Sequence, residues 1–292
     1  MKTSEFIRIN TIILLCFIQL HACAQSDKKD KADFSNQKEN KSNTVEKDWT
    51  HLMYAIDDGN FWLAESIIEK GEKLNFENNR GYTPLMLAID EEETEIVKLL
   101  LNKGVPINYK SKRGYTALNV ACDIGNLDLV TLLLEKGSRV DTETTLMTAV
   151  SGKNSEVVQR ILKEKVNLNA TSQELHYCCT DSDEPSYKIR WTNWNPLLEA
   201  VHKNKVSIAN LLLDNGTDIQ SSATKTTHQF GNAEKASGWT ALFEAIENSN
   251  VEMIQLLLKK GADKNAKLST GQTALQFASE LGNNAVISAI QK

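Results

Sequence analysis

The chain has 292 residues, of which 41% are hydrophobic and only four are proline, and its formal net charge is −5. This composition is typical of a soluble globular protein, and the length allows one large domain or two ordinary ones. The negative charge argues against a nucleic-acid binder, because phosphate binding needs a basic face.

Residues 1–22 have the pattern of an export signal. Lys2 and Arg8 supply positive charge, and Ile9 to Leu20 form an apolar run interrupted by only a few polar residues. A membrane-spanning helix needs about 20 apolar residues, so this run is too short to be one. We therefore expect the protein to be exported.

Two cleavage sites are compatible with this signal. Leu20-His21-Ala22-Cys23 resembles a bacterial lipobox, in which the cysteine is lipidated and becomes the N-terminus, although His21 is atypical there. The small residues of Ala22-Cys23-Ala24 also suit an ordinary signal peptidase that cuts before Gln25. We favour a lipid anchor at Cys23 on the bacterial envelope; the alternative is a soluble periplasmic or secreted protein.

Residues 23–46 read as a disordered tether. They carry many charges of both signs and one aromatic residue, too little apolar surface to form a core. A flexible chain of this length spans roughly 25 Å, enough to separate a domain from a lipid surface.

From residue 47 onward the sequence is dominated by an internal repeat. A Leu-x-x-Ala motif occurs seven times, with leucine spacings of 33, 33, 28, 51, 45 and 33 residues. Its members are Leu52/Ala55, Leu85/Ala88, Leu118/Ala121, Leu146/Ala149, Leu197/Ala200, Leu242/Ala245 and Leu275/Ala278. After most of the motifs come a second apolar run at helical spacing and then a glycine, such as Gly104 or Gly261. Glycine just past a helix is a common C-cap, so each unit is predicted to be a helix, a turn, a second helix and a loop.

The repeat resembles the ankyrin repeat. The stretch Gly81-Tyr82-Thr83-Pro84-Leu85-Met86-Leu87-Ala88 is similar to the signature G-x-T-P-L-x-x-A, at the ankyrin period. The resemblance implies an all-α solenoid over residues 47–292, with about seven helix-turn-helix units and hairpin loops. Within it, we expect a threonine such as Thr83 to cap the first helix and Pro84 to occupy its first position.

The unit boundaries follow from the motif spacing. We place the units near residues 48–80, 81–113, 114–141, 142–170, 193–220, 237–269 and 270–292. Two loop insertions, 171–193 and 221–237, interrupt the same place in successive units, so we expect them to lie side by side. The fourth unit lacks its glycines, and the seventh reads as a C-terminal cap.

The position before the capping threonine forms a row of mostly aromatic residues. In chain order it is occupied by Trp49, Tyr82, Tyr115, Glu143, Trp194, Trp239 and Gln272. The family resemblance implies that this position projects on the hairpin toward a concave groove, where aromatic residues would act as anchors for a protein partner. The alternative is that each ring packs on its own hairpin. Nearby acidic residues, Asp90 and Glu91 above all, would attract basic groups of a partner.

The first insertion suggests a second kind of site. His176, Cys178 and Cys179 lie in it, and His228 lies in the other insertion. These residue types bind Zn²⁺, but adjacent cysteines are awkward ligands and no C-x₂-C spacing occurs. A disulfide or free thiols are the alternatives for the cysteine pair, whereas Cys122 is expected to be buried in the core.

The overall prediction is a binding protein. The sequence has no phosphate-binding glycine loop, G-x-S-x-G motif or H-E-x-x-H motif, so we expect neither an enzyme nor a cofactor. We predict a monomeric protein-protein interaction module of the cell envelope that binds through its concave face and inserted loops. A metal- or redox-responsive module built on Cys178-Cys179 is the alternative.

Overall fold

The structure is a computed structural model that describes residues 49–141, 144–171, 187–229 and 232–292. For residues 187–189, 228–229 and 232–233 it describes the backbone alone. The described residues fall into two compact bodies. The first body comprises residues 49–170 and 207–217, and the second body comprises the described parts of 171–206 and 218–292. The export signal, Cys23 and the tether lie outside the described residues.

Fourteen helices are found in the described residues, two for each predicted unit. They are α1 (His51–Asp57), α2 (Phe61–Lys70), α3 (Pro84–Asp90), α4 (Thr94–Asn102), α5 (Ala117–Ile124), α6 (Leu127–Glu135), α7 (Thr145–Ser151), α8 (Ser155–Leu162), α9 (Pro196–His202), α10 (Val206–Asp214), α11 (Ala241–Glu247), α12 (Val251–Lys259), α13 (Ala274–Leu281) and α14 (Asn284–Gln291). The predicted helical solenoid is therefore confirmed.

The helix starts follow the capping chemistry expected from the sequence. The Thr83 hydroxyl accepts a hydrogen bond from the Met86 amide at 3.3 Å, and Thr50 and Thr116 cap α1 and α5 in the same way. Asn195 replaces threonine before α9 and accepts from the Leu198 amide at 2.9 Å. Each such bond satisfies one of the amide donors that a helix N-terminus leaves without a partner.

The two insertions form a sheet that the sequence analysis did not predict. Strands β1 (Tyr187–Thr192), β2 (Ser222–Gln229) and β3 (Asn232–Thr240) pair antiparallel in the order β1-β2-β3. The expectation that the insertions lie side by side is confirmed for these residues, but the description of them as loops was wrong. In these three strands, backbone amides and carbonyls of one insertion pair with those of the other across β1 and β2.

The core is built from the apolar faces of the helices. The leucine and the alanine of the repeat motif are buried in six of the seven units, and Leu275 in the last unit is 36% exposed. Cys122 is fully buried, as predicted, and burial raises the pKa of its thiol to about 12. None of the described helices is long and apolar enough to cross a bilayer.

Candidate partner-binding surface

Two stacked hairpins carry Tyr82 and Tyr115 in the first body. The Tyr82 amide donates to Asn78 Oδ1 at 2.9 Å, and the Asn78 amide donates to the Tyr82 carbonyl at the same distance. In the next hairpin Ser111 takes the place of Asn78, because its hydroxyl accepts from the Tyr115 amide at 3.1 Å. Each tyrosine is therefore held at a fixed place by the polar residue four positions earlier.

The tips of the same two hairpins are joined by Glu77. Its carboxylate accepts from the Tyr109 hydroxyl at 2.5 Å and from the Lys112 amide at 3.1 Å. The hydrogen bond from Tyr109 lowers the pKa of Glu77, so the carboxylate is charged at neutral pH. Because both hairpins are tied to one carboxylate, the spacing between Tyr82 and Tyr115 is well defined.

Acidic residues influence Tyr82. Burial raises the pKa of Tyr82 to about 12, and the negative charges of Asp90 and Asp123 add to the shift, while the positive charge of Arg113 opposes it. Asp90 and Asp123 are both exposed. Tyr115 is 47% exposed. We call Tyr82, Asp90, Tyr115 and Asp123 the acidic tyrosine face.

The acidic stretch that begins at Asp90 divides into structural and surface residues. Asp90 ends α3, and the Glu91 amide closes that helix by donating to the Leu87 carbonyl at 3.0 Å. Glu92 has a positive φ of 58°, and its carboxylate accepts from Asn126 Nδ2 at 2.7 Å. Burial, with Glu91 nearby, raises the pKa of Glu93. The stretch therefore shapes the turn between α3 and α4 as well as adding charge to the surface.

Trp49 occupies the row position at the start of the first body. Its ring centroid lies 5.4 Å from that of Tyr54, and the Arg80 guanidinium carbon lies 5.5 Å from the Trp49 ring. The ring is half-buried, and its Nε1 is buried without a hydrogen-bond partner among the described residues. The Trp49 ring therefore packs against Tyr54 and Arg80 and is still partly accessible to solvent.

The two tryptophans of the row in the second body are buried. Trp194 is 0% exposed and Trp239 is 4% exposed, whereas we had expected both rings to contact a partner at the mouth of a groove. Trp191 of β1 lies between them, with centroid distances of 4.7 Å to Trp194 and 5.6 Å to Trp239. Direct contact with a partner is therefore wrong for these two rings, and the alternative of packing describes them.

Each of these two buried indoles has a buried hydrogen-bond acceptor, and this explains why the rings remain inside the protein. Trp194 Nε1 donates to Glu199 Oε2 at 2.8 Å, and Trp239 Nε1 donates to Glu244 Oε2 at 2.8 Å. His202 Nδ1 donates to the other oxygen of Glu244 at 2.7 Å. A buried carboxylate is tolerated only when such donors satisfy it, so the rings and the acids stabilise each other.

Lys225 of β2 joins the sheet to this cluster. Its ammonium lies 4.6 Å from the Trp239 centroid and 5.3 Å from the Trp191 centroid, and it donates to Glu247 Oε1 at 2.6 Å. Two aromatic faces and one carboxylate are a favourable environment for a desolvated cation. The sheet is therefore held against the helices by electrostatic interactions as well as by packing. We call Trp191, Trp194, Trp239, Lys225 and the carboxylates of Glu199, Glu244 and Glu247 the tryptophan cluster.

The charged members of this cluster were missed in the sequence analysis, although a signal exists. Trp194 and Trp239 are each followed five residues later by a glutamate, Glu199 and Glu244. A glutamate inside the apolar first helix is unusual in a stack of this kind, and its recurrence five residues after tryptophan would have identified the pairs. Lys225 has no comparable signal, because its contacts depend on how the strands pair.

Most of the predicted metal ligands lie outside the residues that the structure describes. His176, Cys178 and Cys179 lie outside the described residues, and only the backbone of His228 is described, as part of β2. Glu143 of the aromatic row also lies outside the described residues. In the part of the chain that the structure describes, no group of three or more histidines, cysteines or carboxylates is arranged to hold a metal ion.

Comparison with known families decides the classification. The family described as "Ankyrin repeats (3 copies)" matches residues 20–111, 52–143, 92–172 and 222–291, which together span most of the chain. The chain belongs to the ankyrin-repeat family. Domains of this family are generally protein-binding modules and not enzymes, so the chain belongs to a family of interaction proteins.

Solved structures support the same fold. The human ASB11 ankyrin repeat domain is similar with 22% identity and a TM-score of 0.64, covering 83% of this chain and 97% of that one. The ankyrin repeat domain of Bcl-3, a member of the IκB protein family, gives 24% identity and a TM-score of 0.61, covering 84% and 99%. At these identities the likeness shows the fold alone. A search of curated proteins finds no match.

Proposed function

We propose that this ankyrin-repeat protein is a protein-protein interaction module that binds its partner through the acidic tyrosine face of the first body. The observation that carries the proposal is the 47% exposure of Tyr115 on the hairpin next to that of Tyr82, whose pKa is raised by burial and by the charges of Asp90 and Asp123. Aromatic residues with an apolar ring and a polar end are over-represented in binding hot spots. No other residue of the aromatic row is as accessible in the described structure.

The charge of this face indicates the chemistry of the partner. Carboxylates beside an exposed ring favour a segment that carries lysine or arginine, because complementary charge speeds encounter and rejects acidic partners. Trp49, half-buried with Arg80 over its ring, is a second partly accessible ring of the row in the same body. We therefore expect a basic protein segment and not a small molecule.

The proposed location is the bacterial cell envelope. The support comes from the sequence: an apolar signal in residues 1–22, followed by Leu20-His21-Ala22-Cys23 and a charged tether. A lipid on Cys23 would hold the repeat domain at a membrane surface. Mass spectrometry of the mature N-terminus tests this, since a chain that begins at Gln25 without lipid contradicts it. The family assignment does not favour the metal- or redox-responsive alternative.

The binding proposal is tested by crosslinking in native envelopes. The full chain is expressed with the photoreactive residue p-benzoylphenylalanine in place of Tyr115, and crosslinked proteins are identified by mass spectrometry. The matched control carries the same residue in place of Leu275, which is 36% exposed in the second body. A protein captured only from position 115, through a peptide rich in lysine or arginine, supports the proposal. Capture from position 275 alone, or from neither position, contradicts it.

A further inference from the structure

The first unit exposes an apolar residue where a terminal unit of a repeat stack is expected to be polar. Helix α2 packs on α1 and α4 and buries Ala64 and Ile68. Trp62 lies on its other side and is 78% exposed, the most exposed of the large hydrophobic residues that the structure describes. Exposing an indole ring to water is unfavourable in free energy, so the exposure of Trp62 on this side of α2 requires an explanation.

Trp62 borders a shallow, open depression on the same helix. The depression is lined by Trp62, Glu65, Ser66, Glu69 and Lys70. These residues are three or four positions apart, so they share one face of the helix. We call this surface the outer face of α2. It carries an exposed ring and charged groups on one face, and an isologous interface requires that each such group meet a complementary group of the second copy.

The charges of the outer face are also self-complementary. Glu69 binds Lys103 of α4 at 2.7 Å, whereas Glu65 and Lys70 form no salt bridge among the described residues. Ser66 lies midway between Trp62 and Lys70, four residues from each. If two copies of α2 pair antiparallel about a twofold axis at Ser66, the Lys70 ammonium of each copy meets the Trp62 ring of the other. Lys70 then also lies within reach of the other copy's Glu65.

We propose that the outer face of α2 binds the same face of a second copy of this chain, as an antiparallel helix pair centred on Ser66. The small serine side chain at the centre allows the two helix axes to approach to about 8–10 Å. This pairing replaces the monomer expected from the sequence. It is independent of the acidic tyrosine face and of any partner bound there.

The pair is expected to be weak. Helix α2 has ten residues and is therefore about 15 Å long, so its face buries less than the roughly 800 Å² per partner of a standard interface. Chains held close together on one surface pair at much lower bulk concentration than free chains, because the local concentration is high. The test must therefore capture the pair in place.

Cysteine crosslinking in intact cells provides that test. The full chain carries Ser66→Cys, which keeps the side chain at the centre of the pair small, and the control carries Lys98→Cys on α4, which is exposed. A mild oxidant joins thiols that meet, so we expect a disulfide-linked adduct of twice the chain mass from position 66, joined α2 to α2, and none from position 98. A disulfide from position 66 to another cysteine or to another protein, an equal yield from position 98, or no adduct at all overturns the proposal.

Two sets of variants examine the register of the pair. Trp62→Ala removes the ring and should lower the yield of the position-66 adduct by about tenfold. Lys70→Glu should lower it as well, and the double variant Glu65→Lys/Lys70→Glu should recover part of the yield. A position-66 adduct that is insensitive to Trp62→Ala, or that the double variant does not recover, contradicts the antiparallel pairing. Circular dichroism confirms that each variant remains folded.

Discussion

The same position of the repeat has opposite surroundings in the two bodies. In the first body it holds tyrosines fixed by Asn78 and Ser111, and Tyr115 is half open to water. In the second body it holds Trp194 and Trp239, and both are covered and hydrogen-bonded to buried glutamates. The difference coincides with the insertions, because Trp191 and Lys225, two members of the tryptophan cluster, come from the strands.

An aromatic residue at this repeat position therefore does not by itself indicate a binding anchor. A ring binds a partner only where nothing else covers it, and the chain supplies its own cover in the second body. We therefore assign recognition to the acidic tyrosine face and stability to the tryptophan cluster.

Trp239→Ala should lower the free energy of unfolding by about 3–5 kcal/mol, because a large buried ring is lost and a cavity remains. Glu244 also loses a donor. Trp194→Ala should have a similar effect, whereas Tyr115→Ala should cost less than about 1 kcal/mol because its ring is half exposed. Urea denaturation followed by circular dichroism measures all three. Equal losses for Trp239→Ala and Tyr115→Ala would remove the distinction between the bodies.

Lys225→Met should be the next largest effect, at about 1–3 kcal/mol. The substitution keeps an apolar side chain between the two indoles but leaves Glu247 without its cation. Since both side chains retain some exposure, 16% and 18%, the loss is smaller than for a fully buried pair. The double variant Lys225→Met/Glu247→Gln should recover part of the stability in the same denaturation experiment. A double variant less stable than Lys225→Met alone would show that the charge pair is not what holds the strand.

The pH dependence of stability should contain a smaller contribution from His202. Burial by itself lowers its pKa, but the hydrogen bond and charge of Glu244 outweigh burial and leave the pKa above its ordinary value of 6.5. Protonated His202 therefore stabilises the fold below that value, and the contribution is lost as pH rises through the folded-state pKa. Burial raises the pKa of Glu244, but the hydrogen bond and the charge of His202 outweigh burial and leave this pKa below its ordinary value of 4.5. The stabilising effect of ionised Glu244 is therefore lost only in acid.

We expect the unfolding free energy of the wild type to fall more steeply between pH 6 and 9 than that of His202→Asn, which cannot change its charge. Unfolding by urea at a series of pH values measures the two slopes. Parallel slopes would mean that the pair between His202 and Glu244 does not contribute to stability. In that case the indole of Trp239 would be the main partner of the carboxylate.

The helical part of this structure is predictable from sequence because its signals are local. A threonine such as Thr83 lies three residues before the amide that it caps, and a glycine follows most of the second helices. Both signals identify the helices without tertiary information. The sheet depends on contacts between distant residues: Trp191 lies opposite Lys225, which is 34 positions away. The run Thr224–Thr227, in which three of four residues are threonine, is a weak strand signal by itself, and an insertion in a helical repeat is naturally taken for a loop.

The candidate site was predictable only in part, for a related reason. The sequence identifies which residues share a repeat position, and Tyr82 and Trp239 are indistinguishable on that criterion. Their exposure is decided by what covers them, which for Trp239 is Trp191 from one insertion and Lys225 from the other. Burial imposed by a non-local strand cannot be read from the repeat itself.

The central claim is tested most directly by measuring affinity and stability together for Tyr115→Ala and Trp239→Phe, with the protein that crosslinks to position 115 as the ligand. We predict that Tyr115→Ala binds about tenfold more weakly than wild type, with an unchanged melting temperature. Trp239→Phe should melt at a lower temperature, because Glu244 loses a donor, yet bind with wild-type affinity below that temperature. Wild-type affinity in Tyr115→Ala, together with lost affinity in folded Trp239→Phe, would contradict the account.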